Sequence, residues 1–411
     1  MHIAHFTNTY HPVTSGVVRS VSTFRQALTN LGHNVFVFAQ TDREYEDEEP
    51  FVFRYPALHL PLQEYPLTIP VSNFVDTLLP SLKLNVIHAH HPALLGQVAA
   101  RKAEAMHIPL VFTHHTRYRE YSHYAFGVPK NLAKQVIERW IGDYMSQCQH
   151  IVVPSESIKK ILTETYGVTE GITAVPTGID VATYQQADAG DVRQEHGWAP
   201  DDILLISVGR LAKEKNFETL ITAVAPVIKK QPKVRLVILG EGEERTGLEN
   251  LAKALGVAER VNLIGNVPFK QVPNYLKAAN IFCFASVTET QGLVTLEAMA
   301  AGLPVVAVDA TGTSDAVTDG VEGLLTENDP AALTQAMLRM LQDEALQAQL
   351  AEAASQKAVD FDIEKQAKRL VQVYEEAIEA KKAGFHVKTD VQKPIFSLDW
   401  RQLLETSAAE K

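Results

Sequence analysis

The sequence predicts an α/β protein made of two successive doubly wound domains that face each other across a cleft. Three observations lead there. The chain has 411 residues, more than one hydrophobic core usually organises. Through its first half, short apolar segments alternate with amphipathic stretches, the signature of βα units around a parallel sheet. The same alternation restarts after the polar stretch 185–202. These patterns set a first domain at 1–184 and a second at 185–361. A charged amphipathic helix at 362–382 is expected to cross back to the first domain, followed by a tail at 383–411 that carries Phe396, Leu398 and Trp400.

In order, the first domain reads as a strand at 3–6, a loop holding Ser15-Gly16-Val17, an amphipathic segment at 18–31, and a strand at 34–39. Further strands follow at 86–89, 110–113, 151–154 and 172–175. The second domain has strands at 203–208, 234–239, 261–264, 279–285 and 304–308. The last two flank a helix that runs from Gly292 to Ala301 and stops at Gly302-Leu303-Pro304, where glycine and proline end it. Ligands of open α/β sheets gather at the carboxyl ends of strands, so the loops there carry the search for function.

Composition removes several function classes. An apolar fraction of 46% and a charged fraction of 21% describe an ordinary soluble globular protein. A net charge of −11 argues against a dedicated nucleic-acid binder. Cys148 and Cys283, the two cysteines, provide neither a disulfide framework nor metal-ligand spacing. The N-terminus lacks the basic-then-apolar pattern of a signal peptide, and no apolar run approaches bilayer length. A cytoplasmic protein is expected, with any membrane contact peripheral.

Three strand ends of the second domain carry ligand-type residues. The strand at 203–208 leads to Gly209-Arg210-Leu211-Ala212-Lys213-Glu214-Lys215-Asn216, where Arg210 and Lys215 are suited to neutralising a diphosphate. The strand at 234–239 leads to Gly240-Glu241-Gly242, whose glycines are read as admitting a ligand. The strand at 279–285 leads to Glu289-Thr290-Gln291-Gly292-Leu293, with a second acid, Glu297, eight positions after Glu289. Free amides at a helix start attract phosphate, and acids on either side hold hydroxyls, an arrangement that fits a sugar nucleotide. Each cluster alone is more often solvated surface; three at one end of one sheet point to a phosphate-bearing ligand. In the first domain, His114-His115-Thr116 follows the strand at 110–113, and His88, His90 and His91 form a further cluster whose role the sequence does not decide. The adjacent pair His114 and His115 points in opposite directions in extended chain, and no cysteine or acid completes a metal set.

Together, Gly-Arg-Leu-x-x-x-Lys-Asn at 209–216, Gly-Glu-Gly at 240–242 and Glu-x7-Glu from Glu289 to Glu297 closely resemble the retaining glycosyltransferases of family 4. Val153-Pro154-Ser155 and Val175-Pro176-Thr177-Gly178-Ile179-Asp180 resemble that family's inter-domain segment. The resemblance covers nearly the whole chain. It implies a GT-B fold, two Rossmann-like domains with the donor held mainly by the second. It further implies that Arg210 and Lys215 hold the donor diphosphate, that Glu297 binds the ribose and Glu289 the sugar hydroxyls, and that Gly209, Gly240, Gly242, Thr290, Gln291, Gly292 and Leu293 line the donor site. Gly16 matches the family's glycine beside the donor phosphates, and His115 the histidine beside the transferred sugar. The catalytic set implied is His115, Arg210, Lys215 and Glu289, with no metal or other cofactor required; no Asp-x-Asp motif stands at a donor strand end.

The wording Glu-Thr-Gln-Gly-Leu, with the segments 9–18 and 113–121, looks most like the diacylglycerol glucosyltransferase branch, which implies UDP-glucose as donor, a lipid acceptor and the inner face of the cell membrane. Residues 101–146 carry seven Lys/Arg against four acids, interleaved with aromatics. Basic residues attract anionic headgroups and aromatics settle at the interface, which makes Tyr118, Tyr121, Lys130, Lys134, Arg139 and Trp140 candidate acceptor or membrane contacts. The rival reading is that Val136, Trp140, Ile141 and Tyr144, at helical spacing, form a core-facing stripe. Alternatives are the same chemistry on a phosphatidylinositol, a soluble sugar or a glycan, a GT-B sugar-nucleotide epimerase, and a non-catalytic binding module. A dinucleotide oxidoreductase is set aside, because no Gly-x-Gly-x-x-Gly follows the first strand.

Overall fold

The computed structural model describes residues 1–13, 15–42, 45–58, 67–115 and 130–390. Tyr118, Tyr121 and the aromatic tail residues lie outside the described residues. Two parallel sheets organise the chain. The first has seven strands in the order β3-β2-β1-β6-β7-β8-β9. They are β1 (His2–Thr7), β2 (Asn34–Gln40), β3 (Val52–Tyr55), β6 (Val86–Ala89), β7 (Leu110–Thr113), β8 (His150–Val153) and β9 (Ile172–Ala174). Between β3 and β6, β4 (Ala57–Leu58) and β5 (Leu67–Thr68) form a small antiparallel pair. The second sheet has six strands in the order β12-β11-β10-β13-β14-β15. They are β10 (Ile203–Val208), β11 (Val234–Leu239), β12 (Val261–Gly265), β13 (Ile281–Phe284), β14 (Val305–Val308) and β15 (Gly323–Thr326). This is the two-domain arrangement of a GT-B protein.

Period-two alternation sends the strand side chains to opposite faces, and both faces are covered. In the first domain Ala4, Phe6, Phe38, Ile87 and Phe112 pack on one side, while Ile3, Val35, Val86 and Val111 pack on the other. In the second, Leu205, Leu236 and Cys283 face one layer, and Ile206, Val237 and Phe282 the opposite layer. Two edge strands, β3 and β15, go beyond the sequence reading. Each has four residues and an incomplete apolar pattern, so the neighbouring strand and not its own periodicity recruits it.

The helix Ile363–Lys382 leaves the second domain and packs on the first sheet through Leu370, Val373, Tyr374 and Ala377. Each large side chain buried there stabilises the docking by about 1.5–3 kcal/mol. The crossing is held where the chain first passed between domains: Ile179 N–H donates to Phe361 O at 2.9 Å and Ile363 N–H to Ile179 O at 2.9 Å. Gly178 makes the close approach possible, because a β-carbon there would stand 2.4 Å from Ile363 Cα.

Candidate active site

Strand order brings the predicted clusters together. β10, β11 and β13 are adjacent, so the loops 209–216, 240–242 and 285–292 leave the same edge of the second sheet side by side. In the first domain β1, β6 and β7 are likewise adjacent, and their carboxyl ends carry the loop to Gly16, then His90-His91, then His114-His115.

Lys215 ends a short 3₁₀ turn, and Asn216, at φ 56°, turns the chain into the following helix. The Asn216 amide donates to Ala285 O at 3.0 Å, which ties this loop to the end of β13. Lys215 Nζ thereby reaches Glu289 Oε1 at 2.5 Å, and Ser286 Oγ donates to the same oxygen at 2.8 Å. Arg210 is exposed and pairs with Glu214 Oε1 at 2.8 Å. Lys215 and Glu289 therefore meet three residues before Gly292, which adopts φ 72° as it starts the helix Leu293–Ala300. No side chain caps that helix; Thr295 N–H donates to Gly292 O at 2.9 Å, and the amides of Leu293 and Val294 are left to a ligand or water. Thr290 and Leu293 are half-buried at this edge.

Several predicted residues also make contacts within the fold. Gln291 is buried, accepting from Thr177 N–H at 2.8 Å and donating to Thr177 O at 2.7 Å, so its side-chain amide is engaged by the inter-domain segment. The glycines at 240 and 242 make room for the chain itself. A β-carbon on Gly240 would stand 2.0 Å from Gly209 O, and one on Gly242 2.3 Å from Leu211 O. Their smallness lets the first two strand-end loops touch, a packing reason for these glycines that stands beside the expectation that they admit a ligand. Gly209 lies opposite that contact. Gly16 begins the helix Gly16–Asn30 with open space around it, after Ser15, whose hydroxyl accepts from Val18 N–H at 3.2 Å.

Glu297 is buried and faces a residue that the sequence reading missed. Arg19, on the helix Gly16–Asn30 of the first domain, forms an ion pair with Glu297 Oε1, and Tyr184 donates to the same oxygen at 2.7 Å. The Arg19 guanidinium stacks 4.6 Å from the Phe269 ring centroid. Burial lowers the Arg19 pKa from its ordinary value. A second polar link spans the domains, from Ser157 N–H to Asp315 Oδ1 at 3.0 Å. No local motif announces these pairs, since each partner lies in the other domain.

His115 sits half-buried just after β7, its Nε2 2.9 Å from His90 Nδ1. Burial pushes its pKa down to about 3 and holds the ring neutral. Ring nitrogens of His5, His88 and His90 lie within 4.8 Å of one another, close enough to hold a metal ion, yet each ring already has hydrogen-bond partners within the protein.

On the helix Lys130–Met145 the expected stripe divides. Ile141 and Tyr144 are fully buried, whereas Val136 and Trp140 are 43% and 38% exposed. Lys134 is half-buried, and Arg139 pairs with Asp143 at 3.6 Å. The side chain of Lys130 is outside the described residues. Among the described residues, no helix is long and apolar enough to cross a membrane.

Comparisons with known proteins bear on this arrangement. Residues 14–183 match the model described as Glycosyltransferase Family 4, and residues 188–357 the model described as Glycosyl transferases group 1. The alpha-monoglucosyldiacylglycerol synthase of Acholeplasma laidlawii is 31% identical over 321 residues, covering 74% of this chain and 80% of its own. The synthase of the same name from Streptococcus pneumoniae is 29% identical over 347 residues, 79% of this chain and 75% of its own. Among solved structures, sucrose-phosphate synthase from Thermosynechococcus elongatus superposes with a TM-score of 0.76 at 22% identity, covering 92% of this chain and 99% of the other. Anabaena HepE, in complex with UDP and glucose, superposes at 0.73 with 19% identity, covering 91% and 99%. At these identities the two structures speak for the fold.

Proposed function

The chain belongs to the GT-B glycosyltransferases, family 4 in its first half and group 1 in its second, and on that premise we propose that it glucosylates diacylglycerol from UDP-glucose at the cytoplasmic face of the cell membrane. The observation that carries the reading is the Lys215–Glu289–Ser286 cluster, which joins the loops at the ends of the adjacent strands β10 and β13. Similarity to two monoglucosyldiacylglycerol synthases supports the choice of acceptor.

Under this reading Lys215 and Arg210 meet the diphosphate together with the first-turn amides of the helix Leu293–Ala300. Charge develops on the leaving phosphate oxygen as its bond to the sugar breaks, and fixed cations and dipoles stabilise it without reorganisation. When Lys215 turns to the diphosphate, Glu289 is released to accept from sugar hydroxyls. The new bond forms from the diacylglycerol hydroxyl to the anomeric carbon on the same face, and the hydroxyl proton passes to the departing diphosphate oxygen. Configuration is retained, the protein supplies orientation and charge, and no metal is needed.

The test incubates the full chain with UDP-glucose and diacylglycerol vesicles, with and without EDTA, and identifies products by mass spectrometry and proton NMR. The reading expects an α-linked glucosyl lipid plus UDP, unaffected by EDTA. Product formed only on inositol phosphate or a soluble sugar, with none on lipid, would overturn the acceptor assignment.

A further inference from the structure

His115 is the last member of a hydrogen-bonded chain that starts in the interior. Thr113 Oγ1 lies 2.6 Å from His88 Nε2, and His88 Nδ1 lies 2.8 Å from the Tyr374 hydroxyl. That hydroxyl lies 3.3 Å from His5 Nε2. His5 Nδ1 lies 2.9 Å from His90 Nε2, and His90 Nδ1 2.9 Å from His115 Nε2. Strand register builds it: His5 on β1 is directly paired with His88 on β6, and the helix Ile363–Lys382 brings the Tyr374 hydroxyl within reach of both rings. His5, His88 and His90 are 0–1% exposed, so water does not complete their bonding.

Counting protons gives the chain a direction. Burial lowers the pKa of His5 to about 3 and holds His88 and His90 well below the ordinary histidine value, so every ring is neutral. A neutral imidazole carries one N–H and one lone pair, and each hydroxyl carries one proton. The six groups thus bring six protons to five hydrogen bonds, each of which takes one. The sixth proton points out of one end, unless the Tyr374 oxygen accepts from both His88 and His5; its own proton would then be a donor without a partner on a residue 0% exposed, which disfavours that arrangement. At the Thr113 end it would sit on a hydroxyl 6% exposed whose one hydrogen-bond partner among the described residues is His88, leaving a buried donor unpaired. At the His115 end it sits on Nδ1 of a half-buried ring whose one hydrogen bond among the described residues is through Nε2, so Nδ1 is open to solvent or a ligand. The accessible end takes it.

We infer that the chain holds His115 as the neutral Nδ1–H tautomer, so that it offers the cleft a hydrogen-bond donor and not a base. His90, His5, Tyr374 and His88 are the positioning residues that fix this state. The inference rests on the glycosyl-transfer reading only for its ligand, an oxygen of the bound sugar nucleotide. It leaves removal of the acceptor proton to the departing diphosphate.

The test uses the full chain with ¹⁵N-labelled histidine, free of ligand and near neutral pH. Long-range proton–nitrogen spectra, assigned by the signal lost in His115→Asn, should show a protonated Nδ1 and an unprotonated Nε2 on His115. A protonated Nε2, alone or on a doubly protonated ring, overturns the inference. In His90→Leu, His115 Nε2 loses its donor, so tautomers should mix. Turnover with UDP-glucose should fall roughly 10-fold, the size of one oriented hydrogen bond, while KM for UDP-glucose moves less than about twofold. His90→Gln, which both donates and accepts, should recover most of the loss. An unmixed tautomer and unchanged turnover in a folded His90→Leu protein would remove the positioning role. The wild-type spectrum requires no turnover, so failure of the glucosyl-transfer reading leaves it standing as a separate result.

Discussion

Arg19 and Glu297 join the two domains directly: an arginine from the first helix of the chain pairs with a buried glutamate on the helix that begins at the donor edge. Their shared oxygen also accepts from Tyr184, so a side chain from each domain and one from the segment between them meet at a single carboxylate.

Removing the arginine leaves that carboxylate buried with a neutral partner. Arg19→Ala should cost about 3 kcal/mol and lower the thermal midpoint by roughly 3–4 °C, read by circular dichroism. A midpoint within one degree of wild type would mean that the pair contributes nothing to holding the domains.

Lys215→Ala should separate chemistry from folding. The ammonium is only partly buried in its pair with Glu289, so the stability change should stay below about 1 kcal/mol. Loss of a cation aimed at developing phosphate charge should lower kcat by roughly 10²–10³-fold. Near-normal kcat in a folded variant would count against the assigned role.

The buried histidines set an acid limit on stability. Folded-state pKa values of about 3 for His5 and His115, and about 4 for His91, His114 and His150, lie below the unfolded value of 6.5. The unfolded chain therefore binds more protons than the folded one once pH drops below 6.5. Stability falls from there down to the folded values, each group contributing up to about 1.4 kcal/mol per pH unit. Carboxylates with lowered pKa, such as Asp202, weaken the fold only nearer their own unfolded value, so the loss between pH 6.5 and 5 belongs to histidine. Thermal midpoints measured across that interval should decline steadily, and a flat profile would contradict neutral burial.

Trp140 and Val136 present apolar surface on the outer side of a helix whose inner side is core. Trp140→Ser combined with Val136→Ser should reduce co-sedimentation with anionic vesicles several-fold while UDP binding is unchanged. Equal sedimentation would move the membrane contact elsewhere on the molecule.

The sheet cores and the gathering of three strand-end loops on one sheet edge were legible in the sequence, because apolar alternation and strand-end motifs are local signals. Lys215, Glu289 and Gly292 fall together since β10 and β13 are neighbours, as a doubly wound order implies. Arg19 and Tyr184 were not legible: an arginine in an amphipathic helix and a tyrosine in a polar linker look ordinary until the second domain closes over them. The packing role of Gly240 and Gly242 was hidden for a related reason, as a glycine's pattern does not say whether ligand or backbone approaches it. His88 and His90 were noticed as a cluster, but their order along a chain depends on Tyr374, 286 residues beyond His88.

That separation bears on how the molecule is made. A ribosome releases Ile3, Val35, Val86 and Val111 early, and the helix that covers them emerges only after the entire second domain. The first domain therefore waits with one apolar face covered only in part, by Phe24, Ala27 and Leu28 of the helix Gly16–Asn30, throughout synthesis of its neighbour, an interval in which nascent chains are prone to stick to one another. It also means that the two halves are not separable parts. A fragment ending at the inter-domain segment would lack both the covering helix and Tyr374, the hydroxyl that joins His5 to His88.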